Sequence, residues 1–170
     1  MYFDNVLTSR NDLIYANLNL VSSHFIPGDI AITLTWKPVV SQYNKLGFKK
    51  DTIVKSNDIR HYLRRVNHEF LGRDFKARGQ KLKVINAFEL NSSQGIHCHM
   101  ILEKPVSSRV AEEKCIDTLM QCWLDMECSG YVGANLIEIC DNPTRWIQYF
   151  LKDTASYKPE FVDYENWYLN

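Results

Sequence analysis

Eight residues constrain this chain more than any others: Gly95-Ile96-His97-Cys98-His99-Met100-Ile101-Leu102. The run is apolar apart from two histidines one residue apart. In a strand, successive side chains alternate between faces, so His97 and His99 share one face while Ile96, Cys98 and Met100 share the other. The stretch predicts one core face and one face carrying two imidazoles. Imidazoles held side by side are the beginning of a divalent-metal site.

The preceding residues supply a partner strand. Leu82 to Leu90 alternates in the same way, and Asn91-Ser92-Ser93-Gln94 is a turn. A turn centred on Ser93 sets Glu89 opposite His97 and Ala87 opposite His99. Facing Cβ atoms on one side of such a pair lie about 5 Å apart. Glu89 therefore joins the two histidines, and the small Ala87 leaves room beside them. Phe88, Leu90, Ile96, Cys98 and Met100 form the opposite, core-facing side. Two imidazoles and a carboxylate leave coordination positions open. That set suits Mn²⁺, Mg²⁺ or another divalent ion used catalytically, and not a closed structural zinc site.

The rest of the chain reads as alternating elements. Residues 9–22 have the spacing of a short amphipathic helix. Pro27-Gly28-Asp29 is a turn, and Ile30 to Trp36 is a strand that ends before Pro38. Residues 38–56 show no period and read as a long connection. Ser56-Asn57-Asp58 reads as the cap of a helix to about residue 77, with Ile59, Tyr62, Leu63, Val66 and Phe70 as its apolar stripe. Pro105 opens a helix to about Glu127, Tyr131 to Cys140 is a strand, and Asn142-Pro143 starts a helix to about Asp153, with proline in its favoured early position. Residues 154–170 are aromatic but unpatterned. This order predicts an α+β fold, a central antiparallel sheet with helices packed on it. The 170 residues form a single domain with its core at about 30–153 and additions at both ends.

Charge is uneven. The net formal charge is zero, yet residues 45–83 carry 12 Lys and Arg against 4 Asp and Glu, out of 20 of each sign in the chain. A concentrated basic segment can hold phosphates even in a neutral protein. In residues 38–56, aromatics interleave with lysines, a pattern suited to single-stranded nucleic acid, where bases stack and phosphates pair with charge. The five cysteines show no CxxC spacing and read as free thiols in a reducing compartment. The amino-terminal residues lack the layout of a signal peptide, and no run approaches the length of a membrane span. These features predict a cytoplasmic location, or a nuclear one in a eukaryotic host.

The 142–153 helix carries the remaining chemistry. Trp146, Ile147, Phe150 and Leu151 form an apolar stripe, and Arg145, Tyr149, Lys152 and Asp153 form a polar one. A cation one turn from a phenol favours the phenolate, and the same cation can stabilise charge on a phosphate under attack.

Taken together, these motifs resemble the HUH endonucleases of the replication-initiator type. The likeness rests on an early apolar strand (Ala31 to Trp36), on His97-Cys98-His99 with Glu89 upstream, and on Tyr149-Phe150-Leu151-Lys152. It covers roughly residues 30–153. Cys98 departs from the family pattern, where a bulkier aliphatic residue is usual. The resemblance implies that a single tyrosine, Tyr149, assisted by Lys152, nicks and rejoins single-stranded DNA through a 5′-phosphotyrosine intermediate. It implies a metal, Mn²⁺ or Mg²⁺, on His97, His99 and Glu89, with Asp153 as an alternative ligand. The substrate would be the replication origin of a phage, virus or plasmid, in hairpin form. A host or separately encoded helicase and polymerase would act as partners, because the chain has no GxxxxGK[ST] loop. Trp36, Lys37, Tyr43, Lys45, Phe48, Lys49, Lys50, Lys55, Arg60, Arg64 and Arg145 are the expected DNA contacts. Competing expectations are a single-tyrosine transposase or relaxase and, from another class, a non-catalytic single-strand DNA-binding module.

Overall fold

The computed structural model describes residues 23–37, 45–91, 95–107, 109–151 and 162–169. The predicted helix at 9–22 lies outside them. Four strands form one sheet: β1 (Ile30–Thr35), β2 (Val84–Asn91), β3 (Gly95–Leu102) and β4 (Leu136–Ile139), in the order β2-β3-β1-β4. Every neighbouring pair is antiparallel. The helices are α1 (Lys45–Leu71), α2 (Arg73–Arg78), α3 (Cys115–Leu124) and α4 (Pro143–Leu151). The fold is α+β, as the element order predicts.

Three boundaries differ from expectation, each for a local reason. Helix α1 starts at Lys45, so Ser56, Asn57 and Asp58 lie inside it and cap nothing. Their side chains bond elsewhere: Ser56 Oγ donates to Asp163, Asp58 accepts from Trp36 Nε1, and Asn57 accepts from Arg60. Helix α1 ends at Leu71 because Gly72 takes φ of 53°, conformational space that other residues rarely enter. A Cβ at Gly72 would also collide with the Arg109 guanidinium, which donates to the His68 carbonyl.

The helix expected from Pro105 begins only at Cys115, after a 3₁₀ turn at Glu112–Lys114. Ser107 Oγ accepts from the Arg109 N–H and donates to the Phe70 carbonyl, local bonds that compete with helix formation. The strand expected from Tyr131 is reduced to Leu136–Ile139, with a 3₁₀ turn at Val132–Ala134. The Asn135 side chain there accepts from the N–H and hydroxyl of Thr35, replacing strand pairing at the end of β1.

Both faces of the sheet are covered. On one, Ile30, Ile32, Leu34, Phe88, Ile96, Cys98, Met100 and Leu102 pack against the α1 stripe of Ile59, Tyr62, Leu63, Val66 and Phe70 and against Leu119, Cys122 and Trp123 of α3. On the other, Ala31, Ile85, Ala87 and Ile101 meet Ile147, Phe150 and Leu151 of α4. The face that carries the imidazoles is therefore covered as well, by α4.

The aromatic end of the chain contributes too. Val162 and Tyr168 bridge to Ala87 and Val84 on β2. Buried Asp163 accepts from Asn86, Ser56 and Asn166, and Trp167 Nε1 donates to the Asn86 carbonyl. Residues 162–169 therefore cover the free edge of the outermost strand, the position where an exposed ladder invites association. All five cysteines are free thiols, and burial pushes Cys122 and Cys128 up to about 11. Among the described residues, no helix is long and apolar enough to cross a membrane.

Candidate active site

The β2–β3 register is the predicted one: Glu89 pairs with His97 and Ala87 with His99. On the other side of β3, Thr33 pairs with His99 and Thr35 with His97. Alternation puts His97, His99, Glu89, Thr33 and Thr35 on the face covered by α4. Both histidines are buried, His99 at 4% exposure and His97 at 8%. Cys98 points into the opposite core, where burial drives its thiol well above the ordinary range. It is no ligand candidate.

His99 is held at both ring nitrogens. Its Nδ1 lies 2.9 Å from Thr33 Oγ1 and its Nε2 lies 2.6 Å from Glu89 Oε2. The Glu89 carboxylate thus reaches diagonally past its own cross-strand partner, His97, to bond His99. The two imidazole centroids are 6.3 Å apart.

Helix α4 brings the tyrosine. Asn142 caps it by accepting from the Arg145 N–H, and Pro143 occupies its first position. Ile147, Phe150 and Leu151 seat it on the sheet. Trp146 is half-buried and donates from Nε1 to the Met100 carbonyl at 2.9 Å, which fixes the helix against β3 next to His99. One turn on, Tyr149 stacks on Trp146 at 5.4 Å between centroids. The Tyr149 ring also stands edge-on to the His99 ring, with centroids 5.4 Å apart. Tyr149 remains 42% exposed. It borders a cleft of about 380 Å³ between β4 and α4 that Arg145, Asn142, Glu138 and Asp141 also line. An outside strand therefore has access to the tyrosine from solvent.

The residues predicted for the site divide into groups. His97, His99, Glu89, Tyr149 and Arg145 come together on the α4 side. Lys152, Asp153 and Tyr43 lie outside the described residues. Lys45, Phe48, Lys49 and Lys50 fall in the first turns of α1, and Lys37 is exposed just after β1.

Trp36 and Lys55 are corrections. Trp36 is 8% exposed, bonded to Asp58 and set edge-on to Trp123 at 5.2 Å, so it belongs to the core and offers no face to a base. Lys55 is buried with its ammonium 4.6 Å above the Trp36 ring. Burial lowers its pKa, while the charges of Asp51 and Asp58 pull it upward.

Arg60 and Arg64 are exposed on α1, but α1 packs on the sheet face turned away from the histidines. Arg60 is further paired with Glu165 at 2.7 Å. The structure does not bring these two arginines to Tyr149. Two participants escaped the sequence reading, Thr33 and Trp146. Thr33 sits at a polar position of an alternating strand, and Trp146 sits one turn before the tyrosine, so both carried a positional signal.

Two imidazoles and a carboxylate are a mixed donor set that could take a divalent ion. Cis ligands at about 2.1 Å from an octahedral ion lie roughly 3 Å apart. The Glu89–His99 pair is a few tenths of an ångström closer than that, in hydrogen-bonding contact. Among the described residues no group of three His, Cys, Asp or Glu side chains stands in metal-holding geometry. Glu89, His99 and the Thr33 hydroxyl behind it stand instead as a hydrogen-bonded chain.

No protein-family model matches the chain, and no curated protein or solved structure compared with it does so.

Proposed function

We propose that this protein is a metal-dependent single-stranded DNA nicking and joining enzyme of the replication-initiator HUH type. The observation that carries the proposal is the approach of Tyr149 to His99: a solvent-reachable phenol, edge-on at 5.4 Å to a histidine that shares its strand face with His97 and Glu89. Trp146, anchored to that same strand, stacks on the Tyr149 ring and fixes it beside His99.

In this reading the Tyr149 Oη attacks the scissile phosphorus. The Oη–P bond forms and the P–O3′ bond breaks. The phenolic proton passes to solvent, and the departing 3′ oxygen takes up a proton to become a 3′-OH. The product is a 5′-phosphotyrosyl protein, and the reverse attack by a 3′-OH rejoins the strand. The energy of the broken phosphodiester is kept in the covalent link. Trp146 fixes the ring that carries the nucleophile, and Arg145, four residues before Tyr149 on the same cleft, supplies positive charge for the phosphate. Thr33 holds His99 in one ring orientation. A divalent ion on His97, His99 and Glu89 would polarise the phosphate. Lys152, three residues after Tyr149 in the sequence, would add charge.

The test is adduct formation. The wild-type protein, Mn²⁺ and a pool of single-stranded oligonucleotides tiling the DNA around its gene should give a protein–DNA band that survives a denaturing gel. EDTA should remove that band. Tyr149→Phe should lower the adduct by at least 10³-fold, the order expected when a nucleophile is lost, while DNA binding stays within about twofold, since only a hydroxyl is removed. An adduct that persists in Tyr149→Phe assigns the nucleophile elsewhere. Binding without any adduct in the wild type would instead identify a non-catalytic single-strand-binding module.

A further inference from the structure

Residues 162–169, where they cover the edge of β2, leave a pocket behind them. It has a volume of about 230 Å³ and lies between α1, Phe75 of α2, the start of β2 and residues 165–168. Its floor is aliphatic: Leu63, Leu82 and Val84, all buried. Phe75, Trp167 and Tyr168, each half-buried, form aromatic walls. The rim is basic. Arg60, Arg64 and Lys81 stand exposed there against one acid, Glu165, which Arg60 already pairs at 2.7 Å. The Lys81 ammonium lies 5.3 Å from the centre of the Tyr168 ring, so its charge sits over the pocket wall.

The two asparagines of the lining are tied into the fold. Asn67 donates to the Leu63 carbonyl and accepts from the Leu82 N–H, and Asn166 donates to Asp163 and Ser56. Arg64 and Lys81 form no ion pair among the described residues. The pocket is thus an apolar cup with an unmatched guanidinium and an unmatched ammonium at its mouth.

We propose that this pocket takes the carboxyl end of a partner protein, an aromatic last residue preceded by acidic ones. Three observations select that occupant. First, pockets for whole drug-sized molecules start at about 300 Å³, and this one has room for little more than a single side chain. Second, a terminal residue carries its side chain and its carboxylate on one Cα, so the floor and the cationic mouth are filled together. Arginine pairs a carboxylate through two parallel N–H bonds. Third, Arg64 and Phe75 also border a cleft of about 710 Å³ between α1, α2 and α3, where the exposed Lys76 likewise forms no ion pair among the described residues. The residues leading to the chain end therefore run into an excess of positive charge, which favours acids. A nucleic acid fits less well, because bases are held on aromatic faces and the floor here is aliphatic.

The pocket shares no lining residue with the cleft at Tyr149. It therefore recruits a partner without occupying the tyrosine, and it stands whether or not the protein nicks DNA.

The test is an anisotropy titration of the full chain against a fluorescein-labelled peptide of four aspartates and a carboxyl-terminal phenylalanine. Amidating the peptide's end removes the charge that Arg64 and Lys81 meet and should weaken binding roughly tenfold or more. Replacing the phenylalanine by glycine leaves the floor uncovered and should weaken it about 10- to 100-fold. In the Arg64→Ala/Lys81→Ala variant the free-ended peptide should fall to the level of the amide, and amidation should then matter by less than about twofold. Both side chains are exposed, so the variant keeps its core. A Lys104→Ala/Lys114→Ala control removes the same formal charge outside the pocket and should bind within about twofold of the wild type. No binding of the free-ended peptide, or equal binding of acid and amide by the wild type, overturns the proposal. Equal binding of acid and amide, with an oligothymidylate bound by the wild type and lost in the variant, assigns the pocket to nucleic acid instead.

Discussion

The two faces of the sheet are built from the same four strands and serve different ends. The α1/α3 face is largely apolar, with Trp36, Tyr62 and Trp123 set edge to edge over Phe88, Cys98 and Met100. The α4 face is apolar at one end only. Ala31, Ile85 and Ile101 meet Ile147 and Phe150, and then the same strands run on into His99, His97, Thr33, Thr35 and Glu89. The difference teaches where stability and chemistry are kept. Strand alternation lets β3 give every second side chain to a continuous core and spend His97 and His99 on a buried polar patch. Buried polar groups are tolerable only when satisfied, and His99 has a partner at each nitrogen.

If that division is right, a large truncation on the α1/α3 face should cost stability and spare the chemistry. Trp123 is fully buried at the centre of that core. Trp123→Ala should destabilise by about 3–5 kcal/mol, lowering the midpoint of thermal unfolding by roughly 10 °C or more for a chain of this size. Adduct yield per folded molecule, measured well below the new midpoint, should stay within about twofold of the wild type, because a side chain walled off by the sheet adds nothing to the barrier. A much larger loss of chemistry would mean that the two faces are coupled through the strands.

The converse change removes a polar group behind the site. Thr33→Val keeps the shape and deletes the hydroxyl bonded to His99 Nδ1. The expected cost in stability is about 1 kcal/mol. Mn²⁺ affinity, read by titration calorimetry without any DNA, should fall by about 10- to 100-fold, the usual effect of losing an orienting partner of a ligand histidine. Thr33→Ser should restore it. Equal affinity in Thr33→Val and wild type would show that His99 is oriented by packing alone, or that it holds no metal.

What the sequence made legible follows the same division. The histidine hairpin was readable because its two strands alternate, and a period-two pattern with one buried apolar face favours one register. Helix α4 was readable from Asn142-Pro143 and its stripe. The first turns of α1 were not. Gly47 and the β-branched run Thr52-Ile53-Val54 are poor helix formers, and tertiary contacts such as Lys55 above Trp36 hold that region instead. Trp36 and Lys55 were misplaced for a related reason. An aromatic at the end of a strand and a lysine in an unpatterned stretch look alike whether they meet a base or each other. The covering of the histidine face was also hidden, since burial of a polar face depends on which distant helix lands there. The docking of residues 162–169 depends on a network around Asp163 drawn from three separate segments, and no local pattern encodes it.

The smallest change probes a polar flaw in the α1/α3 face. Tyr62 is fully buried, and its hydroxyl has no hydrogen-bond partner among the described residues. Burying a hydroxyl without a partner costs about 1–3 kcal/mol, and replacing it with an apolar group recovers part of that. Tyr62→Phe keeps the edge-on contact with Trp123 at 5.8 Å and should stabilise the protein by about 1 kcal/mol, or 2–4 °C in the unfolding midpoint. The pH dependence gives a second readout. Burial raises the Tyr62 phenol well above its ordinary value, so above about pH 10 the unfolded chain loses this proton while the fold keeps it. Fewer protons are then bound in the unfolded state, and stability falls as pH rises. Tyr62→Phe removes that contribution, so the fall above about pH 10 should be shallower than in the wild type. A destabilised Tyr62→Phe would reveal a partner for the hydroxyl and a further polar contact within the α1/α3 face.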